Sequence, residues 1–177
     1  PLKNVENIKL DGEQLSWAYG GSRGYKEFKY VSEDDRDLTP DEINAQWAEN
    51  KINELAKLDN DNPFFLAVGF LRPHTPLIAP QKYFDLYPLE EILLPDVLEN
   101  DLDDIPQEGK ELAAFRRGDF LNIKKSGKWK EAVQAYLACI SFADAQLGRV
   151  IDALEKSSHY QNTIIIFWSD HGWHLGE

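Results

Sequence analysis

The segment 163–177 constrains the fold of this chain more than any other part of its sequence. Residues 163–168 are apolar or β-branched, and polar residues begin abruptly at Ser169. An uninterrupted run of this kind is typical of a strand that is buried on both faces of a parallel sheet. Open α/β sheets bind their ligands at the carboxyl ends of such strands. We therefore expect a functional site just after Trp168.

The polar residues that follow this run include the adjacent pair Asp170 and His171, before Gly172. A carboxylate binds calcium, magnesium, manganese or zinc, whereas an imidazole favours transition metals, so the pair predicts a metal site without choosing the ion. Two ligands are too few for such a site, and the others must come from elsewhere. The alternative is a turn in which Asp170 caps a following helix and His171 packs or faces water.

A second apolar run, residues 64–70, also ends in polar residues, Arg72-Pro-His-Thr-Pro76. The two prolines that flank His74 restrict the backbone and predict a stiff loop at the end of a strand. The carboxyl ends of parallel strands lie on one edge of a sheet, so we group His74 with Asp170 and His171. The alternative is a turn histidine that is bracketed by prolines and has no catalytic role.

Two helices are predicted around these strands. Thr39 and Glu42 have the spacing of a capping box, with Pro40 at the first helical position, which predicts a helix from Thr39 to about Leu58. Its apolar stripe is predicted to contain Ile43, Trp47, Ile52 and Leu55. Apolar residues at three- and four-residue spacing predict a longer helix over 128–156 that covers a sheet.

Alternating strands and helices favour an α/β fold, a mostly parallel sheet sandwiched by helices. Residues 1–177 show no internal boundary, so we expect part of one domain, with an irregular segment at 1–38 and the core at 39–177. Residues 77–122 are rich in loops, with short helical pieces at 81–86 and 108–115. Loops of this length are usually functional rims or lids.

Composition excludes several classes of function. The net charge of −12 argues against a nucleic-acid partner, and no apolar run approaches the roughly 20 residues that span a membrane. A local basic patch is either an anion-binding surface or a solvated connecting loop. Phosphate-binding glycine motifs, the G-x-S-x-G motif and pairs of cysteines are absent from the sequence. The patch consists of Arg116, Arg117, Lys124, Lys125, Lys128 and Lys130.

Three further side chains have open interpretations. Cys139 lies in the middle of the predicted long helix, where an inert thiol near the core is expected. Trp173 and His174 follow the Asp170–His171 pair, and they either line a pocket or anchor the turn by packing.

Four ordered motifs resemble the type I sulfatases, and within them the iduronate-2-sulfatase-like branch. They lie at 63–76, at 80–87, at 136–154 with Asp144-Ala-Gln-Leu-Gly148, and at 168–177 with Ser-Asp-His-Gly-Trp-His-Leu-Gly-Glu. The resemblance runs from about residue 39 to residue 177. It implies an alkaline-phosphatase-like α/β/α fold and hydrolysis of a sulfate ester, such as that of a 2-O-sulfated uronic acid in glycosaminoglycan degradation.

The resemblance also implies roles for particular residues. Asp170 and His171 correspond to two ligands of a calcium ion, and His74 corresponds to a catalytic residue that contacts the sulfate or assists the leaving alcohol. Trp173 is expected to touch the sugar. The family's nucleophile is a formylglycine made from a cysteine within C-x-P-x-R, and its members are commonly periplasmic, extracellular or lysosomal.

The chain departs from the family pattern at three places. Cys139 lies in Cys-Ile-Ser-Phe-Ala, outside a C-x-P-x-R motif, and the family's paired aspartates and a lysine expected beyond Glu177 have no counterpart. We therefore expect a central part of a sulfatase catalytic domain that lacks N-terminal strands and the C-terminal part, and that is inactive alone. The alternatives are a phosphoester or phosphonate hydrolase of the same superfamily, or a catalytically inactive domain that binds an acidic sugar.

Overall fold

The structure, a computed structural model, describes residues 2–3, 9–10, 13–14, 37–58 and 62–176, without the side chains of residues 2–14 and 115–119. The segment 1–38, predicted to be irregular, lies mostly outside these residues. Two two-stranded antiparallel pairings are present, β1 with β4 and β2 with β3. The elements are β1 (Leu2–Lys3), β2 (Lys9–Leu10), β3 (Glu13–Gln14), α1 (Pro40–Leu55), β4 (Ala79–Pro80), α2 (Gln81–Phe84), α3 (Gln107–Lys125) and α4 (Trp129–Glu155), with 3-10 turns at Leu89–Glu91 and Tyr160–Asn162.

Helix α1 begins as predicted, with a capping box. The backbone amide of Glu42 donates to the Thr39 hydroxyl at 3.4 Å, and the Thr39 amide donates to the Glu42 carboxylate at 2.8 Å. The predicted apolar stripe was wrong at Ile43 and Trp47, which are about half exposed. The buried face instead contains small residues, Ala45 and Ala48, because these let α1 approach α4 closely.

Helix α4 agrees with the predicted helix over 128–156 and organises the described chain. Its amino-terminal half packs against Leu77, Ala79 and Phe84, and its carboxyl-terminal half packs against α1 through Val150 and Leu154. The prediction that it covers a sheet is not met within the described residues, where its main partners are helices. Although α4 has 27 residues, neither it nor any other described helix is apolar enough to cross a membrane.

The two predicted core strands carry no strand pairing in the described part of the chain. Along residues 64–70 burial alternates: Leu66, Val68 and Phe70 pack against the core between α1 and α4, whereas Phe65 is 94% exposed. Ile164 is 90% exposed. Burial on both faces was therefore a wrong prediction for the described chain, because no described strand lies beside either segment to cover it. The described residues are mostly helical, and the predicted parallel sheet is not among them.

Four of the six residues of the basic patch lie on α3 instead of a connecting loop, whereas Lys128 precedes α4 and Lys130 lies on α4. The short helix predicted at 108–115 extends over Gln107–Lys125, so Arg116, Arg117, Lys124 and Lys125 are helical. The reason is that residues 107–125 are dominated by good helix formers and contain no proline. Lys124 and Lys125 occupy its last turn, where positive charge stabilises the helix end.

Candidate active site

His74 lies in a loop that is closed by its own backbone. Its amide donates to the carbonyl oxygen of Leu71 at 2.9 Å, and its side chain is exposed. The ring Nδ1 is 2.6 Å from the carbonyl oxygen of Thr75. A carbonyl oxygen only accepts hydrogen bonds, so this contact assigns the hydrogen to Nδ1. The nitrogen that remains available to a ligand is therefore Nε2.

The backbone before His74 is held by a carboxylate from α1. Both oxygens of Asp41 are used: Oδ1 accepts from the amide of Leu71 at 2.7 Å, and Oδ2 accepts from the amide of Arg72 at 3.0 Å. Asp41 is only 1% exposed. A carboxylate that accepts from two adjacent amides fixes their direction, so α1 determines where the His74 loop leaves the core.

The backbone after His74 is held by Arg72, which is also buried. Its Nη1 donates to the carbonyl oxygen of His74 at 3.0 Å, and its Nε donates to the carbonyl oxygen of Ile78 at 3.0 Å. Sequence reasoning missed the roles of Asp41 and Arg72. No sequence signal was available for either, because hydrophobicity does not mark the face of α1 that Asp41 shares with Ala45, Ala48 and Ile52 as the buried one.

Cys139 is fully buried near these two charges. Burial raises the pKa of its thiol to about 12, with an opposing effect from Arg72 and a smaller reinforcing effect from Asp41. The thiol is therefore protonated at neutral pH and is a poor nucleophile. This agrees with the inert role expected from its position in the long helix.

Asp170 and His171 are both exposed and interact mainly with their own loop. The amide of His171 donates to Oδ1 of Asp170 at 2.9 Å, and the Ser169 hydroxyl donates to the carbonyl oxygen of His171 at 2.8 Å. No helix begins within residues 171–176, which removes the interpretation of Asp170 as a helix cap.

The donor chemistry of this pair fits part of a metal site. Asp170 offers a carboxylate oxygen, and Nε2 of His171 lies 3.7 Å from Oδ2 of Asp170. In the part of the chain that is described, no three His, Cys, Asp or Glu side chains are grouped so that they could hold a metal ion. A hard divalent ion that uses this pair would need further oxygen ligands from residues outside that part.

The loop that carries Asp170 is anchored on α4. Trp173 stacks on Tyr136, with ring centroids 5.3 Å apart and an angle of 18° between the planes. The indole N–H of Trp129 donates to the carbonyl oxygen of Leu175 at 2.7 Å. Trp173 remains 41% exposed, so it is both a packing anchor and a surface available to a ligand.

Gly176 is required by close packing at the end of this loop. A Cβ atom at this position would lie 2.6 Å from a methyl carbon of Val97 and 3.5 Å from the Trp129 ring. The preceding residue, Leu175, has a φ of 65°, in the left-handed region. The loop therefore has a specific conformation that depends on both backbone positions.

One face of α4 supports both loops. Tyr136 and Cys139 lie one helical turn apart, and Leu77 and Leu175 contribute to the same core cluster as these two residues. Across the described residues, no hydrogen bond or ion pair joins His74 to Asp170 or His171. The structure thus connects the two loops through α4, whereas the shared sheet edge predicted for them is not seen.

Comparison with known proteins identifies the family. The family model named Sulfatase matches residues 6–177, which include α1, α4 and both loops. The chain belongs to the sulfatase family. This family has an alkaline-phosphatase-like α/β fold and is generally metal-dependent. The resemblance of the sequence motifs to sulfatases is thereby confirmed.

Three relatives within the sulfatase family show how much of the chain is shared. A sulfatase of Formosa agariphila is 49% identical over 141 residues, covering 79% of this chain and 27% of that protein. Iduronate 2-sulfatase of Mus musculus is 37% identical over 143 residues, covering 75% of this chain and 26% of that protein. Choline-sulfatase of Rhizobium meliloti is 32% identical over 175 residues, covering 97% of this chain and 34% of that protein. The chain thus spans about a quarter to a third of the length of these relatives, and no solved structure matches it.

Proposed function

We propose that the protein containing this chain hydrolyses the sulfate ester of a sulfated carbohydrate, such as a 2-O-sulfated uronic acid. The observation that carries the proposal is the match of the sulfatase family to residues 6–177, which contain both candidate loops. The carbohydrate substrate is supported by the 37% identity to iduronate 2-sulfatase, whereas the 32% identity to choline-sulfatase supports only the sulfate ester.

In this proposal His74 acts on the sulfate group. With Nδ1–H directed to the carbonyl oxygen of Thr75, a protonated imidazole has its second N–H on Nε2, on the exposed side of the ring. That N–H donates to a sulfuryl oxygen or to the oxygen of the leaving alcohol. Such a donor stabilises the negative charge that develops as the sulfur–oxygen bond breaks.

Asp170 and His171 are proposed to be two ligands of a calcium ion. The support is their exposure, their adjacent positions and the hard carboxylate oxygen of Asp170. A bound calcium ion would supply positive charge that offsets charge on the sulfate oxygens. The formylglycine nucleophile is proposed to come from residues outside this chain, since Cys139 is buried and lies outside a C-x-P-x-R motif.

Trp173 is proposed to contact the sugar ring of the substrate. Its stacking on Tyr136 fixes the orientation of the indole, and its exposed portion offers an apolar surface to the less polar face of a sugar.

By the same resemblance to sulfatases, we propose a periplasmic, extracellular or lysosomal location. Cell fractionation followed by an activity assay of each fraction tests this location.

The test is a panel of esters assayed with the purified full-length protein. The panel contains a disaccharide with a 2-O-sulfated uronic acid, choline sulfate, an aryl sulfate, an aryl phosphate and an aryl phosphonate, and release of sulfate or phosphorus product is measured. We expect kcat/KM for the disaccharide to exceed that for every other ester by at least about tenfold, as a site built for one substrate provides.

Two results would contradict the proposal. Preference for the phosphate or phosphonate ester would assign the protein to another hydrolase of the same superfamily. Binding of the disaccharide without release of sulfate would identify a catalytically inactive domain that binds an acidic sugar.

A further inference from the structure

Asp41 and Arg72 form a buried support for the loop of His74, and together they hold both sides of that residue. Asp41 accepts from the amides of Leu71 and Arg72 before His74, and Arg72 donates to the carbonyl oxygens of His74 and Ile78. All four hydrogen bonds end on backbone atoms. The loop therefore receives its conformation from two charged side chains, one of them on a helix 30 residues earlier in sequence.

The cost of this arrangement indicates a function beyond packing. Asp41 and Arg72 are 1% and 6% exposed, and buried charges destabilise a protein unless their hydrogen bonds are satisfied. His74 itself is exposed, so packing around its side chain fixes its position less than it would in the core. An exposed imidazole is held in one place only if its backbone is held, and here the holding groups are charged and buried.

We propose that Asp41 and Arg72 are positioning residues that fix the location and ring orientation of His74 for its action on substrate. The inference rests on the proposed role of His74 in sulfate-ester hydrolysis. Arg72 fixes the carbonyl oxygen of His74 and Asp41 fixes the amide two residues before it. The ring contact with the Thr75 carbonyl oxygen then keeps the hydrogen on Nδ1 and directs Nε2 outward.

The variants in this test retain shape and remove the specific hydrogen bonds. Arg72→Lys keeps the positive charge but loses the planar fork that reaches two carbonyl oxygens. Asp41→Asn keeps one acceptor oxygen and places an NH₂ group against the second backbone amide. Arg149→Lys is the matched control, because Arg149 uses its fork to pair with Glu49 between α1 and α4, at 2.6 and 3.0 Å, with no contact to the loop.

The experiment is a double-mutant cycle in the full-length protein with the sulfated disaccharide. We expect Arg72→Lys and Asp41→Asn each to lower kcat about 10- to 100-fold with less than about a threefold change in KM, because misplacing a catalytic group costs rate more than binding. In a His74→Ala background, the same substitutions should change kcat less than about twofold, because their effect passes through His74. Arg149→Lys should leave kcat within about twofold in both backgrounds.

The outcomes separate positioning from general support of the fold. Equal fold-losses with and without His74 would overturn the inference, as would full activity of both variants. The melting temperature of each variant is measured to confirm that it folds. If Arg72→Lys fails to fold, the kinetics of Asp41→Asn with and without His74 test the inference.

A second measurement does not depend on hydrolysis. Nitrogen NMR of the neutral imidazoles, with the His74 signals assigned from a His74→Gln sample, reports the ring orientation through its tautomer: we expect hydrogen on Nδ1 in the wild type and a mixture of tautomers in Arg72→Lys. If the wild-type protein releases no sulfate, the proposed function fails. The NMR comparison still supports or overturns the positioning of His74 by Asp41 and Arg72 in that case. An unchanged Nδ1–H tautomer in Arg72→Lys would count against the inference.

Discussion

The indole ring of Trp173 stacks on the phenol ring of Tyr136, with centroids 5.3 Å apart. This contact joins the loop of Asp170 and His171 to the helix that also supports the loop of His74. We predict that Tyr136→Leu lowers the free energy of unfolding by about 0.5–1.5 kcal/mol through the lost stacking, and that it lowers kcat/KM because Trp173 loses its support. Tyr136→Phe keeps the ring and should retain both quantities.

Denaturant unfolding and steady-state assays of the full-length protein measure the two effects of Tyr136 substitution. If Tyr136→Leu and Tyr136→Phe behaved alike, the stacking would have no role in either stability or activity.

Two glycines that differ in surroundings give a second prediction. Gly176→Ala should destabilise the protein by about 1–3 kcal/mol, the usual cost of overpacking, because its Cβ would lie 2.6 Å from Val97. Gly148→Ala is the matched control, since a Cβ there meets nothing within 4 Å and the residue lies inside α4. That change should stabilise the protein by about 0.5–1 kcal/mol. Thermal unfolding of both variants checks the contrast, and equal shifts would count against this packing.

The buried thiol of Cys139 predicts a dependence of stability on pH. Burial raises its pKa from 9.0 to about 12 in the folded state, so its contribution to stability is complete below pH 9 and is lost as pH rises toward 12. Between these values the free energy of unfolding should fall by about 1.4 kcal/mol per pH unit from this group alone. Cys139→Ala lacks this component, so the difference between the two unfolding profiles isolates it. Parallel profiles between pH 9 and 11 would show that the thiol is not buried in this way.

The helices could be predicted from sequence because their signals are local. The capping box of Thr39 and Glu42 and the regular apolar spacing of α4 each involve residues only a few positions apart. The buried face of α1 could not be predicted in the same way. Hydrophobicity ranks Ile43 and Trp47 above Ala45 and Ala48, whereas close packing against α4 buries the smaller residues.

The exposed residues of the candidate site could be predicted from the sequence, but the buried residues that support them could not. His74, Asp170 and His171 stand out as polar residues directly after apolar runs. Asp41 and Arg72 act on backbone atoms, in the case of Asp41 at a separation of 30 and 31 residues, and such contacts leave no pattern in the sequence. The apolar runs predicted strands, but pairing requires neighbouring strands that their own residues do not specify.

The most direct test of the proposed function is release of sulfate from the 2-O-sulfated disaccharide by the full-length protein, compared between the wild type, Asp170→Asn and Asp144→Asn. Asp144 is an exposed carboxylate on α4 and serves as the matched control. We predict that the wild type releases sulfate and that Asp144→Asn is unaffected. Asp170→Asn should lose activity at least about 100-fold, because it weakens binding of the calcium ion whose positive charge would offset charge on the sulfate oxygens. A wild-type protein that releases no sulfate, or an Asp170→Asn variant with wild-type activity, would contradict the account.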